Sequence, residues 1–199
     1  MSSDDNDLID LEGFLPPEKM RSGRMMQRRF RHIDEWGKGQ DFLLAMKLDC
    51  STLVATANDP PDLEFKLDGC RIGIELVELI DVEALKMREQ VKKRGNVDLA
   101  ALRKREFWSK EDFQNRLTNT IKKKEEHKPL ASIVSNFDKL WLFVHTSEES
   151  LSSVYVIDHL SNFCIQSRFF SKIMLKLEYE PGFKQSVNGH PIYEVNLSQ

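Results

Sequence analysis

Two carboxylates on a predicted β-hairpin have the clearest capacity for chemistry in this chain of 199 residues. Asp68-Gly69 is a strong two-residue turn signal, and the segments on either side of it alternate like strands. With this turn, Asp62 lies directly opposite Glu75, with Cβ atoms about 4.5–5.5 Å apart. Like charges at that distance destabilise a sheet, so solvent, a nearby cation or a bound metal ion must offset the repulsion.

In this register one face of the hairpin is wholly apolar. This segregation supports the register, because a shift by one residue would mix the two faces. That face is formed by Leu63, Phe65, Leu67, Cys70, Ile72, Ile74 and Leu76. The polar face suits Mg²⁺ or Mn²⁺, since Mg²⁺ is typically held by one or two carboxylates plus water and substrate phosphate. Glu64 lies roughly 6.6 Å from Asp62 along the strand and is a candidate ligand through water. Gly73, opposite Glu64, leaves space for a ligand. The open alternative is a solvated hairpin face.

The surrounding segments predict the elements that hold this hairpin in place. Apolar spacing, capping residues and alternation predict helices over 30–48, 81–94, 98–105, 109–127 and 151–163, and strands over 139–146, 173–179 and 192–197. The apolar run 139–146 is typical of a buried parallel strand. The element order predicts a single α/β domain over 25–199, a mixed sheet flanked by helices, after a mobile tail over 1–24.

Composition excludes several classes of protein. The chain has 29 Lys+Arg against 32 Asp+Glu, a formal net charge of −3 and 40% hydrophobic residues, which is typical of a soluble globular protein. No apolar run approaches the ~18 residues of a membrane span. The cysteines are scattered at Cys50, Cys70 and Cys164, which disfavours a disulfide scaffold and a thiolate zinc site and makes the cytoplasm the expected compartment.

Positive charge is concentrated in one segment of this slightly acidic chain. From Lys86 to Lys128 there are 14 Lys/Arg against 7 Asp/Glu. Such a stretch favours nucleic acid as a partner, because each neutralised phosphate releases counterions. The candidate nucleic-acid-binding residues are Arg116, Lys122, Lys123 and Lys124. A merely solvated basic helix is the alternative.

The hairpin carries a family resemblance. Asp59-Pro60-Pro61-Asp62, followed thirteen residues later by Glu75, resembles the proline-aspartate … (Asp/Glu)-x-Lys signature of the restriction-endonuclease-like nucleases. In that superfamily a helix precedes the hairpin that carries the acids, and a helix and a buried strand follow it. The resemblance implies a restriction-endonuclease-like fold. It covers residues 59–79 by motif and about 30–146 by element order.

The resemblance implies a role for each matching residue. Asp62 and Glu75 would be metal ligands, Leu76 would offer its backbone carbonyl to the metal, and Glu35 would be the additional acid that some members carry in their first helix. The departure is Val77, which stands where the family has its lysine. The expected substitutes for this lysine are Lys110 or another basic residue of helix 110–127, or Gln114.

The expected function is hydrolysis of phosphodiester bonds in DNA or RNA by a nuclease that depends on Mg²⁺ or Mn²⁺. The alternative is a catalytically inactive nuclease-like domain that binds nucleic acid or a protein partner. We expect DNA rather than RNA and no membrane partner, and a homodimer is left open.

Overall fold

The hairpin forms in the predicted register. The computed structural model describes residues 31–56, 60–81, 86, 108–126, 128–148, 151–178 and 191–198. Strand β2 (Leu63–Leu67) pairs antiparallel with β3 (Cys70–Glu78), from Leu67 opposite Cys70 to Leu63 opposite Ile74. Gly69 adopts a positive φ of 81° in the turn, a conformation that glycine reaches at little steric cost.

The hairpin belongs to a sheet of six described strands in the order β1-β2-β3-β4-β5-β6. The other strands are β1 (Val54–Ala55), β4 (Lys139–Thr146), β5 (Phe170–Leu177) and β6 (Ile192–Glu194). The pairs β3–β4 and β4–β5 are parallel, and the remaining neighbours are antiparallel. The prediction of a mixed sheet is confirmed, as is the prediction that the strand at 139–146 is buried and parallel.

Helices cover both faces of the sheet. The described helices are α1 (Arg31–Ala45), α2 (Lys110–Glu125), α3 (Lys128–Ile133) and α4 (Ser153–Leu160), and a 3₁₀ turn at Val134–Asn136 precedes β4. Helix α1 packs Phe42 and Leu43 onto the apolar face of the hairpin. Helix α2 packs on the opposite face, through Phe113, Leu117 and Ile121. The α/β class is therefore confirmed.

Helix α2 begins as its sequence predicts. The Ser109 side chain accepts a hydrogen bond from the backbone N–H of Asp112, which satisfies one of the donors that the first helical turn leaves open. Phe113, Leu117 and Ile121 follow at helical spacing, and each is fully buried. This apolar stripe fixes which face of α2 lies on the sheet, and so determines which polar residues lie above the hairpin.

Several predictions fall on residues that the structure does not describe. These are the tail over 1–24 and most of the predicted helices 81–94 and 98–105, which include much of the basic segment. From His32 onward, the described residues form one compact unit. Within the described residues, no helix has the length and apolar character needed to cross a bilayer.

Candidate active site

Asp62 is held at the point where β2 begins. Asp62 is only 4% exposed, and its Oδ2 accepts a hydrogen bond of 2.7 Å from the backbone N–H of Leu76. Strand β3 extends past the first residue of β2, so this N–H has no partner in the β2 ladder. The Asp62 carboxylate takes the place of that partner. The backbone N–H of Thr56 also donates to the Asp62 carbonyl, at 3.1 Å.

Glu75 lies one position beyond the last ladder pair, as the hairpin register predicts. It is 2% exposed and shares with Asp62 the sheet face on which α2 packs. Lys124, near the end of α2, places its Nζ 2.5 Å from Glu75 Oε2 and 3.9 Å from Asp62 Oδ2. Burying carboxylates without a partner is costly, and an ammonium group offsets that cost by charge and hydrogen bonding. Asp62, Glu75 and Lys124 therefore form one ionic cluster, which we call the acid–lysine triad.

The two carboxylates of the triad are oxygen ligands of the kind that a hard divalent cation prefers. Proteins typically hold Mg²⁺ with one or two carboxylates, while water and phosphate complete the shell. The Leu76 carbonyl faces the same strand edge as its N–H, because both backbone groups of a strand residue point to one side. The Asp62 and Glu75 carboxylates and the Leu76 carbonyl fit Mg²⁺ or Mn²⁺ in donor chemistry. Among the described residues, no group of three or more His, Cys, Asp or Glu side chains is arranged to hold a metal.

Glu64 pairs with an arginine of the neighbouring strand, and its role as a metal ligand through water stays a prediction. Its Oε2 accepts hydrogen bonds from Arg71, at 3.2 Å from Nε and 2.5 Å from Nη2. Gly73 leaves no space for a ligand, because a Cβ there would lie 2.7 Å from Leu140 Cδ2 and 3.2 Å from the Phe137 ring. The missing side chain therefore allows Phe137 and Leu140 to pack against β3, which corrects the expectation of ligand space.

The substitutes predicted for the motif lysine lie elsewhere, with one exception. Lys110 donates to Ser161 Oγ at 2.7 Å, and Gln114 donates to the His159 carbonyl at 2.7 Å, so both residues contact α4 and its end. Lys110 is fourteen residues from Lys124, or roughly 21 Å along a helix. The expectation that a basic residue of helix 110–127 reaches the acids is met by Lys124.

The nucleic-acid candidates of α2 divide into two groups. Arg116 forms a 2.9 Å ion pair with buried Asp81 and lies over the Trp108 ring, so it has a structural role in the fold. Lys122 and Lys123 are exposed on the outer side of the helix. Lys124 turns inward to the triad, whereas the sequence predicted it to face nucleic acid.

Glu35 lies in α1, the helix on the opposite face of the sheet from α2. Its Oε2 is 3.7 Å from His32 Nδ1. A role for Glu35 beside the triad stays a prediction. Val77 is half-buried and packs against the core beneath α2, so the motif's lysine position is filled by an apolar contact.

The inward direction of Lys124 has a sequence signal that the spacing of charges alone does not reveal. Lys124 follows Ile121 by three residues, and residues three or four apart lie on the same side of a helix. It therefore extends the buried stripe of Phe113, Leu117 and Ile121 toward the sheet, whereas Lys122 and Lys123 do not. The stripe, continued past its last apolar residue, identifies the lysine that reaches the acids.

A second polar cluster lies at the carboxyl ends of β3 and β4, beneath α1. His145 is buried, with Nδ1 2.9 Å from Glu178 Oε1 and Nε2 3.2 Å from Lys38 Nζ. Burial opposes ionisation of Glu178, but the hydrogen bond from His145 and the positive charges nearby outweigh it and lower the pKa of this carboxyl to about 2. Burial raises the pKa of Glu78, and the charges of His145 and Lys38 offset this only in part. These contacts fasten α1 to the strand ends.

Comparisons with family models, with curated proteins and with solved structures give no match to this chain.

Proposed function

We propose that the protein is a nuclease that hydrolyses phosphodiester bonds with the help of a divalent metal ion. The observation that carries the proposal is the buried carboxylate pair, Asp62 and Glu75, joined by Lys124 from a neighbouring helix. A fold gains little stability from burying two acids side by side and holding a lysine over them. These groups together suit phosphodiester hydrolysis, because negative charge develops on the phosphate oxygens while water attacks.

Each residue of the triad has a defined task in this proposal. Asp62, fixed by the Leu76 N–H, and Glu75 would hold Mg²⁺ or Mn²⁺, with the Leu76 carbonyl as a further oxygen ligand. When bound, such an ion polarises the phosphodiester and lowers the pKa of a bound water. The Lys124 ammonium would stabilise negative charge on the phosphate and orient the attacking water by donating hydrogen bonds. The lysine side chain is long and flexible, so its ammonium group can leave Glu75 and contact the phosphate of the substrate instead.

The element order supports the resemblance to the restriction-endonuclease-like nucleases as part of the proposal. A helix (α1) precedes the antiparallel β2–β3 hairpin with the acids, and a helix (α2) and a parallel strand (β4) follow it. In this interpretation Lys124 has the role of the motif lysine, whose own position in the sequence is occupied by Val77. Residue 77, two positions after Glu75 on β3, and Lys124 on α2 both lie on the α2 side of the sheet.

The nucleic-acid surface in this proposal is the outer side of α2 near its end. Lys122 and Lys123 are exposed there, one turn or less from Lys124. Contacts to phosphates from such lysines would position a strand over the acids without reading its bases. DNA remains the expected substrate.

The experiment that tests the proposal compares Glu75→Gln and Lys124→Met with wild type in a cleavage assay. Labelled single-stranded and duplex DNA and RNA are incubated with Mg²⁺ or Mn²⁺, and the products are resolved on a denaturing gel. We expect loss of at least about 100-fold in rate for each variant, the scale on which a positioned proton donor or an electrostatic donor contributes. Lys110→Met is the matched control on the same helix and is expected to cleave at the wild-type rate.

Two results would contradict the proposal. Cleavage that survives Glu75→Gln would show that the activity comes from another site or a contaminant. Absence of cleavage by wild type on every substrate, together with metal-independent binding of nucleic acid, would favour the catalytically inactive alternative.

A further inference from the structure

A groove with a volume of about 490 Å³ lies beside the triad, and the proposed function gives it no task. It opens on the same part of the sheet, because Pro61 directly precedes Asp62 and Glu64 follows it by two residues. Ligand pockets in proteins typically measure about 300–1,000 Å³, so the groove has room for a group the size of a nucleoside. The lining residues that matter here are Pro60, Pro61, Glu64, Arg71, Asn136 and Phe137.

Arg71 forms a fixed planar surface in this groove. Its Nε and Nη2 donate to Glu64, and its Nη1 donates to the Asn136 carbonyl at 3.3 Å. The guanidinium carbon lies 4.6 Å from the centroid of the Phe137 ring. Half of the side chain is nevertheless exposed, so the guanidinium presents surface to the groove. An arginine held in this way loses little further entropy when a ligand stacks on it.

Gly73 contributes to the rigidity of the stacked pair of Arg71 and Phe137, which we call the platform. A Cβ at this position would approach the Phe137 ring to 3.2 Å, so the absence of a side chain lets the ring lie close against β3. Phe137 supports the guanidinium from below, and Glu64 and the Asn136 carbonyl hold its edge. The result is a stack of ring and guanidinium built onto the sheet next to the acids.

The charge of the groove favours a base over a phosphate as its ligand. Glu64 lies 2.5 Å from the guanidinium and compensates its charge, so the groove has little net attraction for an anion. Unstacked nucleobases bind proteins by stacking on aromatic rings and on arginine guanidinium planes. The exposed Asn136 has both donors and acceptors with which a side chain can contact a base edge.

We propose that this groove binds an unpaired nucleobase, stacked on Arg71, from a strand whose neighbouring phosphodiester lies at the triad. The substrate would then be single-stranded nucleic acid or an unpaired end, because the bases of an intact duplex are already stacked on one another. The proposal rests on the proposed function for the position of the phosphodiester. The binding of the base itself needs neither a metal nor cleavage.

The test measures binding by fluorescence anisotropy in EDTA, so that no cleavage takes place. The probes are a labelled oligothymidylate, an oligonucleotide of equal length in which the bases are replaced by abasic residues, and a duplex of equal length. Wild type is expected to bind the abasic strand at least about fivefold more weakly than oligothymidylate, the lower end of the effect of one stacked base. This comparison uses the unaltered protein, so it does not depend on the folding of a variant.

Arg71→Lys supplies the second comparison, because lysine keeps the charge beside Glu64 but lacks the planar group. We expect it to weaken oligothymidylate binding at least about fivefold and to leave duplex binding unchanged. Lys66→Ala is the matched control, since Lys66 lies opposite Arg71 on β2 and is exposed. It removes a neighbouring charge without touching the platform, and base-dependent binding should persist.

Equal binding of oligothymidylate and the abasic strand would overturn the proposal. Equal losses on single strand and duplex in Arg71→Lys would also overturn it, because they would identify Arg71 as a phosphate contact. If the base effect is found but wild type cleaves nothing with Mg²⁺ or Mn²⁺, only the proposed function fails. If cleavage is found without a base effect, only the groove proposal fails.

Discussion

Replacing Lys124 by methionine should destabilise the protein far more than the same change elsewhere on α2. Methionine matches lysine closely in helix propensity, so the change removes the ammonium group and little else. Glu75 and Asp62 are 2% and 4% exposed, and breaking a buried ion pair by removing one partner typically costs about 3–5 kcal/mol. Because the Lys124 side chain is 27% exposed, we take the lower end, about 3 kcal/mol.

The double variant Lys124→Met/Glu75→Gln isolates the interaction between the two groups. Glutamine keeps the shape of glutamate but removes its charge, so the double variant should be more stable than the sum of the single changes predicts. The expected coupling is about 1.5–3 kcal/mol, within the range for residues of one salt-bridge network. Urea denaturation followed by circular dichroism measures the free energy of unfolding. For a chain of this size, a loss of about 3 kcal/mol corresponds to a fall of roughly 6–12 °C in Tm.

Lys110→Met is the control for this prediction. Its ion pair with Asp158 joins side chains that are 41% and 66% exposed, so the expected cost is at most about 1 kcal/mol. Equal costs for Lys124→Met and Lys110→Met, together with a coupling near zero, would refute the reasoning, because they would mean that Lys124 does not neutralise buried acids.

The remaining predictions concern metal, pH and salt. Saturation with Mn²⁺ at 100 times Kd should raise the free energy of unfolding of wild type by about 2.7 kcal/mol, which a thermal melt detects as a higher Tm. Asp62→Ala should abolish this rise in Tm, whereas the control Glu194→Gln, which changes an exposed carboxylate, should keep it. The pKa of Glu178 is lowered from 4.5 to about 2, so this carboxylate should stabilise the fold above about pH 4.5 and lose that contribution as pH falls toward 2. Glu178→Gln should therefore cost at most about 3 kcal/mol at pH 6 and less at pH 3, as measured by denaturation at the two pH values. Lys122→Gln/Lys123→Gln should flatten the dependence of log K for nucleic acid on log salt by about 1.4–1.8, and an unchanged slope in a titration would remove these lysines from the binding surface.

The hairpin could be predicted from sequence because every local signal in it agrees. The Asp68-Gly69 turn, the alternation of apolar residues and the facing of Asp62 and Glu75 all specify one register, and β2 and β3 adopt it. The run at 139–146 also predicts its own burial, since a strand covered on both faces is apolar throughout. The register of the hairpin and the burial of β4 depend on residues close together in the chain, so both could be predicted from a single sequence.

The partners of the polar side chains depend on packing between distant elements. Spacing places Lys124 on the buried side of α2, but it does not specify which residue Lys124 contacts. Lys124 reaches Glu75 across 49 residues of sequence, and the hairpin itself gives no indication of it. Arg71 engages Asn136, 65 residues away, and Gly73 accommodates a ring from the segment before β4 rather than a ligand. Each of these contacts follows from the angle at which a helix or turn lies on the sheet.

The origin of the lysine has a consequence for how the site forms. A lysine at position 77 would stand beside the acids as soon as the hairpin folds, because it would lie on the same strand as Glu75. Lys124 reaches them only after α2 has docked, which requires Leu117 and Ile121, on the same side of the helix, to be buried against the sheet. Any change that loosens this packing therefore separates the ammonium group from the two acids. Docking of α2 and completion of the triad are one event, so the proposed nuclease activity should be lost in step with the packing of this helix and before the hairpin itself unfolds.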